Sequence, residues 1–435
     1  MAELNRSLGF WGATGIGIGA IIGTGIFVLI GVASATAGPA VILSFIIAGC
    51  VALLTGLSTA ELSSFIHEAG GSYIYTTKAF GEFPGFVVGW MKSFDYIVGA
   101  SAVSVGFAAY FTYFVGIPST TATLVIIATL WPLILMILNV KGIVEASWTN
   151  NILVALKILA LLVFIVVGAS ALFASGNYSN YHPFVPTGFS GVMSGAAIIF
   201  FAFIGFETIA VMAEEIKDPE KNVPRAILFT FAVCTLIYIS VSVVAVGIVN
   251  WESLGLSSAP LEFALRTVTD NIFILQFVAI SALFATTSVI MASIMGGSRA
   301  LFAMARRGVL PNVLSTISLQ KVPVVTILLC GIIISGIVLA TGGNLDWLAS
   351  LFNFGTLLTF FFINLSVLKL RKTMPDARRS FTVPFYPYTP VFAMISCIVL
   401  AFYLNSNAMM TACVFLVVGI VVYYLNKKEK KPGKA

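Results

Sequence analysis

Long apolar stretches alternate with short polar ones along the whole chain. The apolar runs fall at 11–35, 39–66, 84–115, 120–140, 148–173, 190–213, 226–249, 271–304, 323–341, 346–369, 387–405 and 407–426, numbered here as segments 1 to 12. A helix needs about 20 mostly apolar residues to cross a bilayer, and these runs are of that order. Membrane barrels need short strands of alternating polarity, a pattern the chain lacks. Lipid offers no water to satisfy backbone groups, so helices remain as the way across. The pattern predicts an all-α integral membrane protein with 12 transmembrane helices. Two short helices are expected between them. Residues 72–81 read as a cytoplasmic re-entrant or interfacial helix, and 258–268 as an amphipathic helix on the outer surface, with Pro260 near its start.

Composition agrees with lipid as the solvent. Of 435 residues 59% are hydrophobic and 9% charged, where soluble domains carry roughly 25% charge. Mean hydropathy is +1.05. A soluble enzyme, a disordered chain and a nucleic-acid binder are excluded. The net charge of +6 reads as basic cytoplasmic loops. Of the 23 Lys and Arg, Arg266 alone falls outside when the N-terminus is cytoplasmic, and Lys92 and Lys157 fall inside segments; the remaining 20 are cytoplasmic. The outer loop 174–189 has no charge. Both termini are therefore expected in the cytoplasm of a cell-membrane protein. The first apolar run has no cleavage site and is expected to be mature protein. The five cysteines, Cys50, Cys234, Cys330, Cys397 and Cys413, form no disulfide or zinc pattern. His67 and His182 lie in loops and form no cluster. No catalytic motif is present, so no enzyme is expected, and nothing calls for a cofactor, a metal or an obligate protein partner.

Two segments are interrupted by glycine at matching depth: Gly15-Ile-Gly-Ile-Gly-Ala-Ile-Ile-Gly-Thr-Gly-Ile-Phe27 in segment 1 and Phe200-Phe-Ala-Phe-Ile-Gly-Phe-Glu-Thr208 in segment 6. Segments 1 to 5 occupy 1–173 and segments 6 to 10 occupy 190–372. An odd number of crossings in each makes the second half inverted. Residues 385–426 hold segments 11 and 12, and 427–435 a basic tail. Paired interrupted helices point to a transporter binding site; close helix packing through small residues is the plainer alternative. A break at Gly23, Thr24 and Gly25 exposes N–H groups and a helix dipole that favour a carboxylate. A break near Phe203, Ile204 and Gly205 frees carbonyls that suit an ammonium. Facing each other, the two would hold a zwitterion, and an α-amino acid is the commonest small one. Phe201, Phe203 and Ile204 would give the pocket an apolar lining.

A charge at the bilayer centre costs about 2.5–3.5 kcal/mol on insertion scales, so buried charges are functional candidates. Lys157 lies ~15 Å into segment 5, and Asp95 lies at similar depth in segment 3. A lysine that gains and loses a proton there could carry a coupling proton; a permanent ion pair with Asp95 is the structural alternative. Lys92 shares a face with Asp95 and is expected to snorkel to the cytoplasmic interface. Glu207 follows the second break, as a helix cap, a gate or a substrate contact. Thr286, Thr287 and Ser288 sit mid-way along segment 8, available to Lys157 or to a sodium ion unless they bond their own carbonyls. Glu61 is expected to be structural.

These residues resemble the amino acid–polyamine–organocation superfamily, most closely the cationic amino acid transporter branch and its prokaryotic proton-coupled relatives. The resemblance rests on IIGTGIFVLIG (21–31), AGPAVILSFIIAG (37–49), AELSSF and AGGSYIYTTKAFGE (60–82), FFAFIGFETIAVMAEEIKDPEKNVPRAI (200–227) and GGSRALFAMARRGVLP (296–311). It implies a five-plus-five inverted repeat of the leucine-transporter type, with helices 1 and 6 broken and two extra helices. It implies alternating access, a substrate carboxylate at Gly23, Thr24 and Gly25, and an amino group at the carbonyls of Ile21, Phe201 and Ile204. It implies that Lys157 lies near the backbone of Gly19 in place of a sodium site, with Asp95 at an acidic position usually held by Glu. The sequence departs from the family pattern at Ile66-His67-Glu68. Substrate charge is not inherited; the apolar pocket points to neutral amino acids or a broad range. Proton-coupled symport is the expected activity. Uncoupled exchange or facilitated diffusion, and a non-transporting amino acid receptor, are the rivals.

Overall fold

A computed structural model describes residues 8–66, 68, 70–141, 147–306, 308–317 and 322–429. His67, Arg307, Lys321 and the end of the basic tail from 430 lie outside the described residues. The described residues are helical throughout and contain no strand; a single bridge joins Leu8 to Ile216. Ten helical stretches, from Leu29–Ser63 to Ser406–Asn426, are long and apolar enough to cross a membrane. Phe10–Ile21 and Tyr388–Ala401 are shorter apolar helices. The chain is thus a multi-pass membrane protein.

Segment 1 is three pieces, Phe10–Ile21, Thr24–Phe27 and Leu29–Ala37, and segment 2 is Val41–Ser63 after a 3₁₀ turn at Gly38–Ala40. Gly38 has φ +67° there, a conformation that suits glycine. Segments 3, 4 and 5 are Glu82–Val115, Thr121–Val140 and Ser147–Ser175. Segment 6 is also in pieces: Gly188–Ile199, a 3₁₀ turn Phe200–Phe203, and Glu207–Val211. Segments 8, 9 and 10 are Ile272–Arg306, Val324–Thr341 and Leu345–Thr373; segment 12 is Ser406–Glu429.

Segment 7 starts seven residues earlier than its hydropathy indicates, at Pro219–Ile248. Pro219 opens the first turn, where its missing N–H is no loss. Pro224 lies inside the helix and leaves the Glu220 carbonyl without its usual partner. The Ser380 hydroxyl donates to that carbonyl at 2.7 Å. A contact from distant chain lets the helix pass a proline that reads as a boundary.

Segment 3 is the most enclosed span, and segments 4 and 12 are the most open to lipid. Lipid is as apolar as leucine, so spans hold together through close packing rather than a hydrophobic force. Segment 3 packs along segments 8 and 10, segment 2 along segment 7, and segment 4 along segment 9. Glycines make the approach possible: a Cβ on Gly296 would stand 2.8 Å from the Tyr96 ring.

The helix Ser72–Phe80 forms. The outer helix Pro260–Arg266 also forms, with proline in its first turn, but it does not lie on the surface. Leu261, Glu262, Ala264 and Leu265 are buried. The Arg266 Nε donates to Glu262 Oε1 at 2.8 Å, and its guanidinium sits 4.6 Å over the Tyr113 ring. Burial pushes the Glu262 carboxyl up, against the opposing pull of Arg266 and Tyr113.

Candidate functional site

The two interruptions lie against each other. Ile22 is extended, with ψ 100°, and ends the helix Phe10–Ile21; Gly23 precedes the half-helix Thr24–Phe27. Opposite, Ile204 is extended with ψ 142°, and Gly205 has φ +131°. A Cβ on Gly205 would stand 2.7 Å from the Ala20 carbonyl and 3.0 Å from the Ile21 nitrogen. One on Gly25 would collide with the Ala202 backbone. Glycine at these positions brings main chain to main chain.

The first N–H groups of a helix have no carbonyl one turn earlier. At Thr24 these groups gather beside a hydroxyl that is buried and has no hydrogen-bond partner. A buried, unsatisfied hydroxyl costs about 1–3 kcal/mol; the Thr24 side chain lies against Gly106 of segment 3. On the acceptor side the carbonyls are unequal. Ile21 already accepts from the Tyr238 hydroxyl at 2.9 Å. Phe201 accepts a long bond, 3.4 Å, from the Ile204 N–H.

Phe201 packs on Phe352 of segment 10, with centroids 4.4 Å apart. Phe203 does not share that pocket. It packs between Phe45 of segment 2 and Tyr238 of segment 7, at 6.5 and 5.3 Å. A 3₁₀ turn has three residues per turn, so residues two apart point to different sides. The expectation of one lining from Phe201, Phe203 and Ile204 is corrected accordingly.

Lys157 is buried, and its Nζ donates to the Gly19 carbonyl at 3.2 Å. Segment 5 packs on segments 1, 7 and 8. Asp95 turns instead to segment 10, where Thr356 donates to its Oδ2 at 3.0 Å. The cation acting on Asp95 is Lys92. Depth alone suggested Lys157 and Asp95 as partners; equal depth does not set the direction in which a helix face points.

Lys92 does not snorkel. It crosses to segment 6 and forms an ion pair with Glu207, the first residue of the half-helix Glu207–Val211. A carboxylate at that position also meets the positive end of the helix dipole. The Thr287 hydroxyl accepts from Trp131 Nε1 of segment 4 at 3.3 Å. Thr286 and Ser288 bond the carbonyls of Ala282 and Ala285 at 2.8 and 3.0 Å. Glu61 is held by Arg371 at 2.7 and 2.6 Å and by the Val383 N–H at 2.7 Å, which ties segment 2 to the loop before segment 11. No group of three or more metal-ligating side chains occurs among the described residues.

Sequence reasoning passed over Tyr238, Phe352, Asn353 and Thr356. Asn353 Nδ2 donates to the Ala197 and Ile198 carbonyls at 2.6 and 3.2 Å, at the end of the first half of segment 6. The available signal was a polar residue in mid-span, which a membrane interior tolerates when it bonds a neighbouring helix.

Residues 8–429 match the family model described as amino acid permease. A branched-chain amino acid permease of Bacillus subtilis is 36% identical over 98% of this chain and 94% of its own length. A methylthioribose transporter of the same organism is 35% identical over 98% and 94%. A vacuolar cationic amino acid transporter of Arabidopsis thaliana is 32% identical over 86% of this chain and 61% of its own. Glycine-broken helices that meet each other and a match along nearly the whole length agree: the chain belongs to the amino acid permease family, whose members are transporters and not enzymes.

Proposed function

We propose that this protein is a secondary active transporter that moves neutral amino acids together with protons by alternating access. The observation that carries the reading is the contact of the two helix breaks beside the unpartnered Thr24 hydroxyl. The substrate carboxylate binds at Gly23, Thr24 and Gly25, and the amino group at the carbonyls of Phe201 and Ile204, with Ile21 shared with Tyr238. Phe201 and Phe352 cover the side chain. Lys157 is the coupling group: its bond to Gly19 ties proton state to the helix that carries the carboxylate site. The architecture is twelve helices, with inverted halves at 1–173 and 190–372, helices 11 and 12 at 385–426, and both termini on the cytoplasmic side of the cell membrane. The branched-chain permeases among its relatives support a neutral substrate.

Uptake of radiolabelled amino acids into proteoliposomes, with an inward proton gradient and no sodium, tests this. Accumulation of neutral amino acids that collapses with a protonophore is expected. Uptake only against preloaded amino acid, indifferent to the protonophore, would make the protein an exchanger and reduce Lys157 to a structural charge.

A further inference from the structure

Lys92 stands where a charged substrate would be felt. It reaches from segment 3 to Glu207, three residues past Ile204, and the side chains are 17% and 9% exposed. The groups around the pair are few. Segment 3 contributes Lys92, Asp95 and Tyr96, whose ring lies 5.8 Å from the ammonium. Segment 6 contributes Glu207. Tyr75 of the helix Ser72–Phe80 faces Glu207, and Thr356 of segment 10 donates to Asp95. The cluster holds two carboxylates and one ammonium, and one oxygen of each carboxylate, Asp95 Oδ1 and Glu207 Oε1, is buried without a hydrogen bond.

Two carboxylates in a low-dielectric site attract a cation strongly. Without Lys92, the ammonium or guanidinium of a cationic amino acid would meet that demand. With Lys92, the carboxylate of Glu207 is paired from within, and a cation approaching it is placed against a like charge. Specificity of this kind comes from a repulsive element as much as from an attractive one. A buried ion pair is by itself weak ground for a stability role.

We propose that Lys92 is an internal counter-ion to Glu207 that excludes cationic amino acids from the site and so sets its preference for neutral ones. This rests on the amino acid reading above. It names a residue that decides between the branched-chain and the cationic amino acids named for some of the chain's relatives.

The test uses the full chain in proteoliposomes, with labelled L-leucine uptake competed by unlabelled L-norleucine, L-lysine and L-arginine. Norleucine and lysine have similar shape and differ by the ammonium. In the wild type, norleucine competes and lysine is weaker by about tenfold or more. Lysine within about threefold of norleucine in the wild type overturns the proposal. In Lys92→Met, lysine and arginine gain about tenfold or more relative to norleucine, and the double variant Lys92→Met/Glu207→Gln loses that gain. A Lys92→Met protein that transports leucine and still excludes both cations also overturns it. A purely structural pair would change stability or rate and leave the order of competitors alone. If no neutral amino acid binds or enters the wild type, the transporter reading itself fails. The wild-type comparison stands even where Lys92→Met does not fold.

Discussion

Thr24 is a residue whose folded surroundings make no use of its polar atom. Its hydroxyl is buried and unpartnered, so Thr24→Val removes a group that does no work in the empty protein. The variant is expected to melt at the wild-type temperature or slightly above it. Substrate affinity is expected to fall roughly tenfold, the size of one lost hydrogen bond at about 1–1.5 kcal/mol. Thermal unfolding with and without L-leucine separates the two effects; unchanged affinity would move the carboxylate site away from Thr24. Thr24 was legible in the sequence because it stands between two glycines in an apolar span. Lys92 was legible as a charge inside a segment, but neither its burial nor its pairing with Glu207 was. Sequence spacing gives a helix face, while the partner lies 115 positions away. Phe203 shows the same limit, since its neighbours depend on a 3₁₀ turn that hydropathy does not reveal.

At the scale of elements, hydropathy located the spans but not how they end or what covers them. Segment 7 runs through Pro224 because Ser380 takes up the freed carbonyl, a contact with no local signature. The helix Pro260–Arg266 was predicted at the right residues, but most of it is buried and only its Arg266 end is exposed. Its Glu262 is buried beside Arg266, with its carboxyl pushed up. A carboxyl raised in the folded state adds stability that is present below the ordinary glutamate value, about 4.3, and is lost as pH rises through the raised value. The wild type is therefore expected to lose thermal stability relative to Glu262→Gln as pH rises from 4 towards 7. A melting-temperature difference that stays constant over that range contradicts this account.

At the scale of the molecule, the distribution of basic residues predicts an orientation for the chain. Single cysteines introduced at Ser179, in the uncharged loop 174–189 expected outside, and at Asp376, in the loop carrying Arg378 and Arg379, test that orientation in intact cells after the native cysteines are replaced. Ser179→Cys should react with a membrane-impermeant maleimide, and Asp376→Cys only after the membrane is opened. The reverse pattern would invert the topology. Segments 3 and 6 are largely enclosed while segments 4 and 12 face lipid, and the two enclosed spans are the less apolar ones. A span packed on protein can carry small and polar side chains that bond its neighbours, so in this chain lower hydropathy goes with a more central span.

Sequence alone determined the solvent, the helical class, the location of the apolar helices, the glycine-interrupted segments and the charges too deep to be incidental. Each follows from a local balance, between apolar side chains and water or between backbone groups and the lack of water in lipid. Tertiary structure alone decided that the breaks touch through Gly25 and Gly205, that Asp95 bonds Thr356, that Lys92 joins Glu207, and that Thr287 serves Trp131. These depend on the rotation of one helix about its axis relative to another. Packing among nearly featureless apolar faces sets that rotation, and the sequence of either helix by itself does not encode it.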